Sequence, residues 1–365
     1  APVTRDAVPP FLTSLSAALD GTGPCLVISH TDQTQNAVAP TVTSVREDIA
    51  VLVSTSGSTG SPKLVALSAH QLTALTEYVH GTDNPQWVSV LPWSSMGGLN
   101  VAVRSLATDH PVHFIEPTHP FDPQSVNSAL SSLHNPTFIS LVPTQAARIF
   151  HSPGGREALA GCARIFIGGA PVSTQVRELL QDLPVTYTYG MTETSGGCVF
   201  NGVPAPGVGL SINPEDSRIS ITGPTVATGY FPDTEFAGEF LTSDLGTVTD
   251  GHLTVIGRID DIIIVKGTNV SLNAVAEALT AACHERAPAS EVCVVSLDHP
   301  EDGAVICVAA SGVSDAQLAD AITAVRERLG IAATPRKSRV MDALPQLPGG
   351  KIDRLSIVQL FEEQQ

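Results

Sequence analysis

Positive charge is scarce in this 365-residue chain: 19 lysines and arginines stand against 36 acidic residues, a formal charge of −17. So acidic a surface repels nucleic acid and anionic membrane, which argues against both as partners, and any anionic ligand must be held by local basic side chains. The few lysines and arginines inside motifs are the more informative for it. Cysteine is thinly used too. Cys25, Cys162, Cys198, Cys283, Cys293 and Cys307 are scattered without Cys-x-x-Cys spacing, which reads as reduced thiols and not as a disulfide framework or a zinc site. A long apolar run is missing as well. Residues 84–103 carry no charge, but Pro85, Pro92, several serines and two asparagines interrupt them, which speaks against a membrane span. The first six residues, Ala-Pro-Val-Thr-Arg-Asp, lack the apolar core of a signal peptide. These absences leave an enzyme-sized cytoplasmic protein with room for two domains. Hydrophobic content of 42% against 15% charged residues supports a large core.

What is present follows an alternating pattern up to about residue 190. Short β-rich runs at 25–29, 49–53, 87–91, 112–115, 138–142, 165–167 and 185–189 are separated by helical stretches. Ser68-Ala69-His70-Gln71 is a capping box opening a helix towards His80. Asp122-Pro123 is a cap followed by proline at the first helical position. Such alternation implies a largely parallel sheet covered on both faces. From about Arg218 to Arg258 the pattern changes to β-runs with turn signals, including an Asp250-Gly251 hairpin turn. A compact α+β segment follows, with helices at 272–284 and 315–329, strands at 292–296 and 305–309, and a last helix from Asp353. The fold class is therefore α/β: a large N-terminal domain (1–258) of mainly parallel sheet with flanking helices and a β-rich subregion. A small α+β C-terminal domain (259–365) completes it.

Six segments carry chemistry. After the apolar run at 49–53 comes Val-Ser-Thr-Ser-Gly-Ser-Thr-Gly-Ser-Pro-Lys (53–63). Thr55, Ser56, Ser58 and Thr59 offer hydroxyls, Gly57 and Gly60 let backbone N–H groups converge on an anion, and Lys63 adds a positive charge. A solvated connector would share this polarity, but needs neither a buried strand before it nor a lysine at its end. The glycines stand too close for the loop of P-loop NTPases, and Leu64 follows the lysine. Gly168-Gly169-Ala170-Pro171 ends a strand and by itself is only a turn. Tyr-Thr-Tyr-Gly-Met-Thr-Glu (187–193) places a carboxylate just beyond the next strand, where an open α/β sheet binds ligands. Asp244 lies in Thr-Ser-Asp-Leu-Gly and Arg258 in Gly-Arg-Ile-Asp-Asp, where a turn cap and local pairing with Asp260 or Asp261 would account for both. Lys351 stands in Pro-Gly-Gly-Lys-Ile-Asp-Arg, a setting in which lysine is normally surface.

Together these segments resemble the acyl-adenylate-forming enzymes, the family of acyl-CoA ligases, peptide-synthetase adenylation domains and luciferases. The resemblance runs from Thr55 to Arg354. It implies ATP, Mg²⁺ and CoA as cofactor and co-substrates. The loop from Thr55 through Lys63 would hold polyphosphate, and Gly168, Gly169 and Ala170 would approach the adenine on which Tyr189 stacks, with Gly190 beside it. Thr192 would contact the α-phosphate, Glu193 with Thr59 would hold Mg²⁺, and Asp244 with Arg258 would bind the ribose. Lys351 would be the adenylation lysine, and Asp260 the hinge of the C-terminal domain.

Within the family, the compact chain with Glu-Thr-Ser-Gly-Gly-Cys-Val (193–199) and Asn-Gly-Val-Pro (201–204) resembles the o-succinylbenzoate–CoA ligases of menaquinone biosynthesis in their short actinobacterial form. That implies 2-succinylbenzoate as the acid, with Ser95, Arg104 and Gly190 around it. Arg104 lies in a mostly apolar helix, where an arginine snorkelling to solvent is the plainer account. A dicarboxylate nevertheless needs a cation for the carboxylate that does not react. Two departures stand out: Ser94 and Ser95 occupy the place of the family's usual histidine after Leu91-Pro92, and Ala274 and Ala276 replace frequent glutamates. Another acyl- or aryl-CoA ligase, a peptide-synthetase adenylation domain and a silent nucleotide-binding relative stay open, as does a homodimer. Joint retention of Lys63, Glu193, Asp244, Arg258 and Lys351 argues against the silent relative.

Overall fold

The computed structural model describes residues 8–29, 42, 44–55, 63–118, 121–285, 287, 290–346 and 352–363. Four sheets organise them. The first has the strand order Leu26–Ile28, Ile49–Thr55, Lys63–Ser68, Gly229–Phe231, Thr234–Glu235. Period-two alternation turns Val51, Val53, Val65 and Leu67 to a core shared with helices Val8–Leu19 and Met96–Ser105. Ile49, Leu52, Leu64 and Ala66 go to a second, smaller core on the other face. Burial on both faces explains why the run at 49–53 is continuously apolar.

The second sheet has seven strands, in the order Val203–Pro204, Gly196–Phe200, Val185–Met191, Arg164–Ile167, Thr137–Leu141, Gln86–Ser89, His113–Phe114. Its five strands from Val185–Met191 to His113–Phe114 are parallel, and the other two add antiparallel. Val88, Ile139, Leu141, Ile165 and Ile167 face helices Pro123–Ser132, Pro143–His151 and Gly155–Ala160. Trp87, Phe138 and Phe166 fill the opposite face, with Trp87 stacked on Phe166 at 5.7 Å.

The mainly parallel sheet is thus the one the alternation implies, though the runs at 25–29 and 49–53 join the first sheet. There only the pair Leu26–Ile28 and Ile49–Thr55 is parallel. The helix expected from Ser68 to His80 also divides, into Ala69–Thr73 and Thr76–His80. Its capping box is formed, but the Thr73 hydroxyl donates back to the Ala69 carbonyl at 2.8 Å, a bond that bends helices.

The third sheet is antiparallel: Gly209–Ile212, Arg218–Thr222, Glu239–Thr249 and His252–Arg258. Asp250 and Gly251, at φ 50° and 78°, make its hairpin turn. In the fourth, strands Thr268–Ser271, Ile262–Val265, Gly303–Ser311 and Glu291–His299 are joined by Lys337–Met341. Helices Leu272–His284 and Asp315–Leu329 cover one face, and Arg354–Glu362 covers the other. All six cysteines are free thiols. No helix among the described residues is long and apolar enough to cross a membrane.

Candidate active site

Thr55 ends one strand directly opposite Lys63, which begins the next. Ser56, Gly57, Ser58, Thr59 and Gly60 lie between them, outside the described residues, as does Lys351. The Thr55 hydroxyl donates weakly to the Lys63 carbonyl at 3.4 Å. The Lys63 Nζ stands 4.6 Å from the centre of the Tyr230 ring, which the neighbouring strand brings opposite Val65. The Tyr230 hydroxyl donates to Glu193 Oε1 at 2.8 Å. Burial first, then the Glu193 charge, pushes its pKa up, so it remains a donor at neutral pH.

Glu193 itself sits in a turn that only small residues permit. Strand Val185–Met191 leads into the 3₁₀ turn Thr192–Thr194, and then Ser195 and Gly196 take φ of 53° and 93°. A Cβ on Gly190 would lie 2.0 Å from the Gly196 carbonyl oxygen, which no side chain tolerates. The buried Thr194 hydroxyl accepts from Met191 N and donates to Gly196 O. The Ala227 amide donates to the Glu193 carbonyl at 2.9 Å. Gly168, Gly169 and Ala170 follow the adjacent strand Arg164–Ile167, and a Cβ on Gly168 would meet Thr188 Oγ1 at 2.2 Å. These turns therefore lie side by side at the carboxyl ends of parallel strands.

A second group forms where the third sheet meets this edge. Asp244 and Arg258 are cross-strand partners. The Tyr189 hydroxyl donates to Asp244 Oδ2 at 2.7 Å, and Arg258 Nη1 donates to Oδ1 at 3.2 Å. Arg258 also forks Asp260 through Nε and Nη2, at 2.9 and 2.8 Å. The arginine thus joins the local partner and the more distant Asp244 at once, while Asp261 pairs with Arg354 at 3.1 Å. The Asp260 hydrogen bonds raise the pKa of Arg258 most, with Asp244 adding to it. Partial burial opposes ionisation of Asp260, yet Arg258 wins and its pKa is lowered. Burial first, then Asp244, raises the pKa of Tyr189.

The third group is carried by helix Met96–Ser105. Ser95 caps it: its hydroxyl accepts from Gly98 N and donates to Pro92 O, so this side chain is engaged locally. Gly98 is required, because a Cβ there would lie 2.2 Å from the Pro92 carbonyl oxygen. Asn100 and Arg104 share a face, four residues apart. Asn100 Nδ2 donates to the Ser195 carbonyl at 2.8 Å, and its buried Oδ1 has no hydrogen-bond partner. Arg104 is only 8% exposed, so it does not snorkel to solvent. Burial pushes its pKa down to about 10, and no described carboxylate forms an ion pair with it. Beside it, His80 accepts from the Trp87 indole at 3.1 Å, and burial followed by the Arg104 charge lowers its pKa. Tyr230, Asn100 and His80, which touch or neighbour the expected residues Glu193, Ser195 and Arg104, were not singled out from the sequence. Only Asn100 left a signal, its spacing from Arg104.

Among the described residues no group of three His, Cys, Asp or Glu could hold a metal ion. Glu193 alone, already holding one hydrogen bond, does not make a resident metal centre. It fits a magnesium–nucleotide, in which phosphates and water supply most of the oxygen ligands and the cation offsets phosphate charge.

A family model described as AMP-binding enzyme matches residues 12–231. The chain belongs to that family. A probable 2-succinylbenzoate–CoA ligase of Mycobacterium tuberculosis is 35% identical over 372 aligned positions, covering 96% of this chain and 95% of that protein. Among solved structures, the amide bond synthetase McbA of Marinactinospora thermotolerans superposes with a TM-score of 0.74 at 22% identity, covering 96% and 82%. The o-succinylbenzoate CoA synthetase of Bacillus subtilis, in complex with its acyl-adenylate intermediate, gives 0.70 at 24%, covering 85% and 69%. Both structures share the fold of this chain.

Proposed function

We propose that this chain is an AMP-forming acid–thiol ligase that activates 2-succinylbenzoate with ATP and transfers it to CoA, a step of menaquinone biosynthesis. The observation that carries the choice of acid is Arg104. A buried guanidinium without a described counter-ion is costly, and a substrate carboxylate would relieve that cost through two charge-assisted hydrogen bonds. The helix bearing Arg104 is fastened to the Glu193 turn by Asn100, and Arg104 follows Asn100 by one helical turn, which supports this reading. A monocarboxylic acid would leave the guanidinium unpaired.

In the first step a carboxylate oxygen attacks the α-phosphorus of ATP and the bond to pyrophosphate breaks, leaving an acyl-adenylate. Residues Thr55 to Lys63 would hold the polyphosphate, Thr192 the α-phosphate, and Glu193 with Thr59 the Mg²⁺ that travels with it. Asp244, oriented by Tyr189 and Arg258, would take the ribose hydroxyls. Adenine would lie against Tyr189, Gly168, Gly169, Ala170 and Gly190, and Lys351 would stabilise charge on the attacking and α-phosphate oxygens. In the second step the CoA sulfur attacks the acyl carbonyl and AMP leaves. For that step residues 259–365 would turn as a domain about Asp260, which Arg258 grips on the other side of the boundary. Use of ATP and CoA as co-substrates would suit a reaction in the cytoplasm.

The test is ATP- and CoA-dependent thioester formation by the purified chain with 2-succinylbenzoate, benzoate and medium-chain fatty acids. The proposal requires 2-succinylbenzoate to be preferred by kcat/KM. Preference for a monocarboxylic acid would overturn the choice of acid and leave the ligase chemistry standing.

A further inference from the structure

One side chain joins the two charges meant for the nucleotide, although nothing in the motifs assigns it. Tyr230 is half-buried in strand Gly229–Phe231 and held edge-on against Phe236, with ring centres 4.9 Å apart. Its face carries Lys63 Nζ at 4.6 Å and its hydroxyl donates to Glu193 Oε1 at 2.8 Å. The segment that presents it also ties the Glu193 main chain, through Ala227 N. Phenylalanine would fill the same space, so packing alone does not account for the hydroxyl.

We propose that Tyr230 is a positioning residue of the nucleotide site: its ring seats Lys63 and its hydroxyl fixes the Glu193 carboxylate, holding both for a magnesium–nucleotide. The ring also works as a spacer. A lysine and a glutamate that reach the same side chain could otherwise pair directly and quench each other's charge, whereas an aromatic face attracts the ammonium without neutralising it. The phosphate cation and the metal-holding anion are thereby kept apart and available. This rests on the nucleotide roles proposed above for Lys63 and Glu193.

The test is calorimetric titration of the full chain with ATP, with and without Mg²⁺, for wild type, Tyr230→Phe and Tyr230→Leu. Tyr230→Phe keeps the ring and loses the hydrogen bond. It should bind Mg²⁺-free ATP within about twofold of wild type and lose on the order of tenfold of the affinity gain that Mg²⁺ brings. Tyr230→Leu loses the spacer as well, and should give up about tenfold of the Mg²⁺-free affinity besides. A wild-type Mg²⁺ gain in Tyr230→Phe, or a loss of equal size with and without Mg²⁺, would overturn the proposal. The readout does not depend on which acid is activated. A wild-type chain that binds magnesium–ATP yet forms no thioester with any acid overturns the proposed function and leaves Tyr230 to be judged by the calorimetry. One that binds no magnesium–ATP overturns both.

Discussion

The two halves of the site manage charge in opposite ways. On the nucleotide side every described charge has a partner in the chain: Lys63 lies on Tyr230, Glu193 accepts from Tyr230, and Asp244, Arg258 and Asp260 form a continuous network. On the acid side Arg104 stands buried without a described counter-ion. Paired, partly exposed charges cost little to maintain while the site is empty. A buried and unpaired one costs several kcal/mol, a cost that a ligand carboxylate would relieve on the proposed assignment. On the roles proposed above, the nucleotide half would be general equipment and the acid half would be where selectivity resides.

Removing a charge from each side should separate these roles. The largest effect is expected at Lys351. Lys351→Ala should slow adenylation by on the order of 10²–10³, comparable to deleting one preorganised electrostatic group, whichever acid is offered. The same variant, given preformed acyl-adenylate and CoA, should make thioester at nearly the wild-type rate in a single-turnover assay. Asp260→Pro should slow thioester formation more than adenylation, since a fixed φ obstructs the proposed rotation while adenylation loses only the Arg258–Asp260 pairing. Equal damage to both half-reactions in Lys351→Ala would remove the rotating domain from the account.

On the acid side, Arg104→Ala should cost roughly 2–4 kcal/mol in kcat/KM for 2-succinylbenzoate, with the loss confined to acids that carry a second carboxylate. Asn100→Ala bears on the junction between the halves. It leaves the Ser195 carbonyl without its buried donor, which should lower stability by about 1–3 kcal/mol in denaturant unfolding. The smallest effect concerns pH. His80 is held below the ordinary 6.5 by burial and by Arg104. The unfolded chain therefore takes up a proton below pH 6.5 that the folded chain resists, and stability falls as pH drops through that range. Bound dicarboxylate offsets the Arg104 charge and should flatten this slope in thermal melts. His80→Gln should flatten it without ligand.

The turns that carry the proposed nucleotide residues were legible in the sequence where they are described, because they come in short contiguous motifs, each fixed by the turn it occupies. Gly190 and Gly168 are examples: their missing side chains are demanded by the main chain and by Thr188, which pack against them. The caps at Ser68 and Asp122 were legible for the same reason, being local. Tyr230 was not, since it meets Glu193 across 37 positions of chain, and Asn100 meets Ser195 across 95. Arg104 was visible, but the choice between a snorkelling arginine and a buried one depends on helix packing that no spacing specifies. The antiparallel pairing of the first sheet escaped for two reasons: Lys63–Ser68, which pairs locally with Ile49–Thr55, is not among the runs read as strands, and Gly229–Phe231 arrives from far along the chain to join it.

The claim that Arg104 awaits the ligand's second carboxylate can be measured by a two-by-two comparison. Wild type and Arg104→Met are each assayed for kcat/KM with 2-succinylbenzoate and with the same acid lacking its ring carboxylate. The account predicts that removing the arginine and removing the carboxylate each cost about the same, and that once either is gone, removing the other costs little more. Equal losses for the arginine variant with both acids would contradict it and make Arg104 a structural residue.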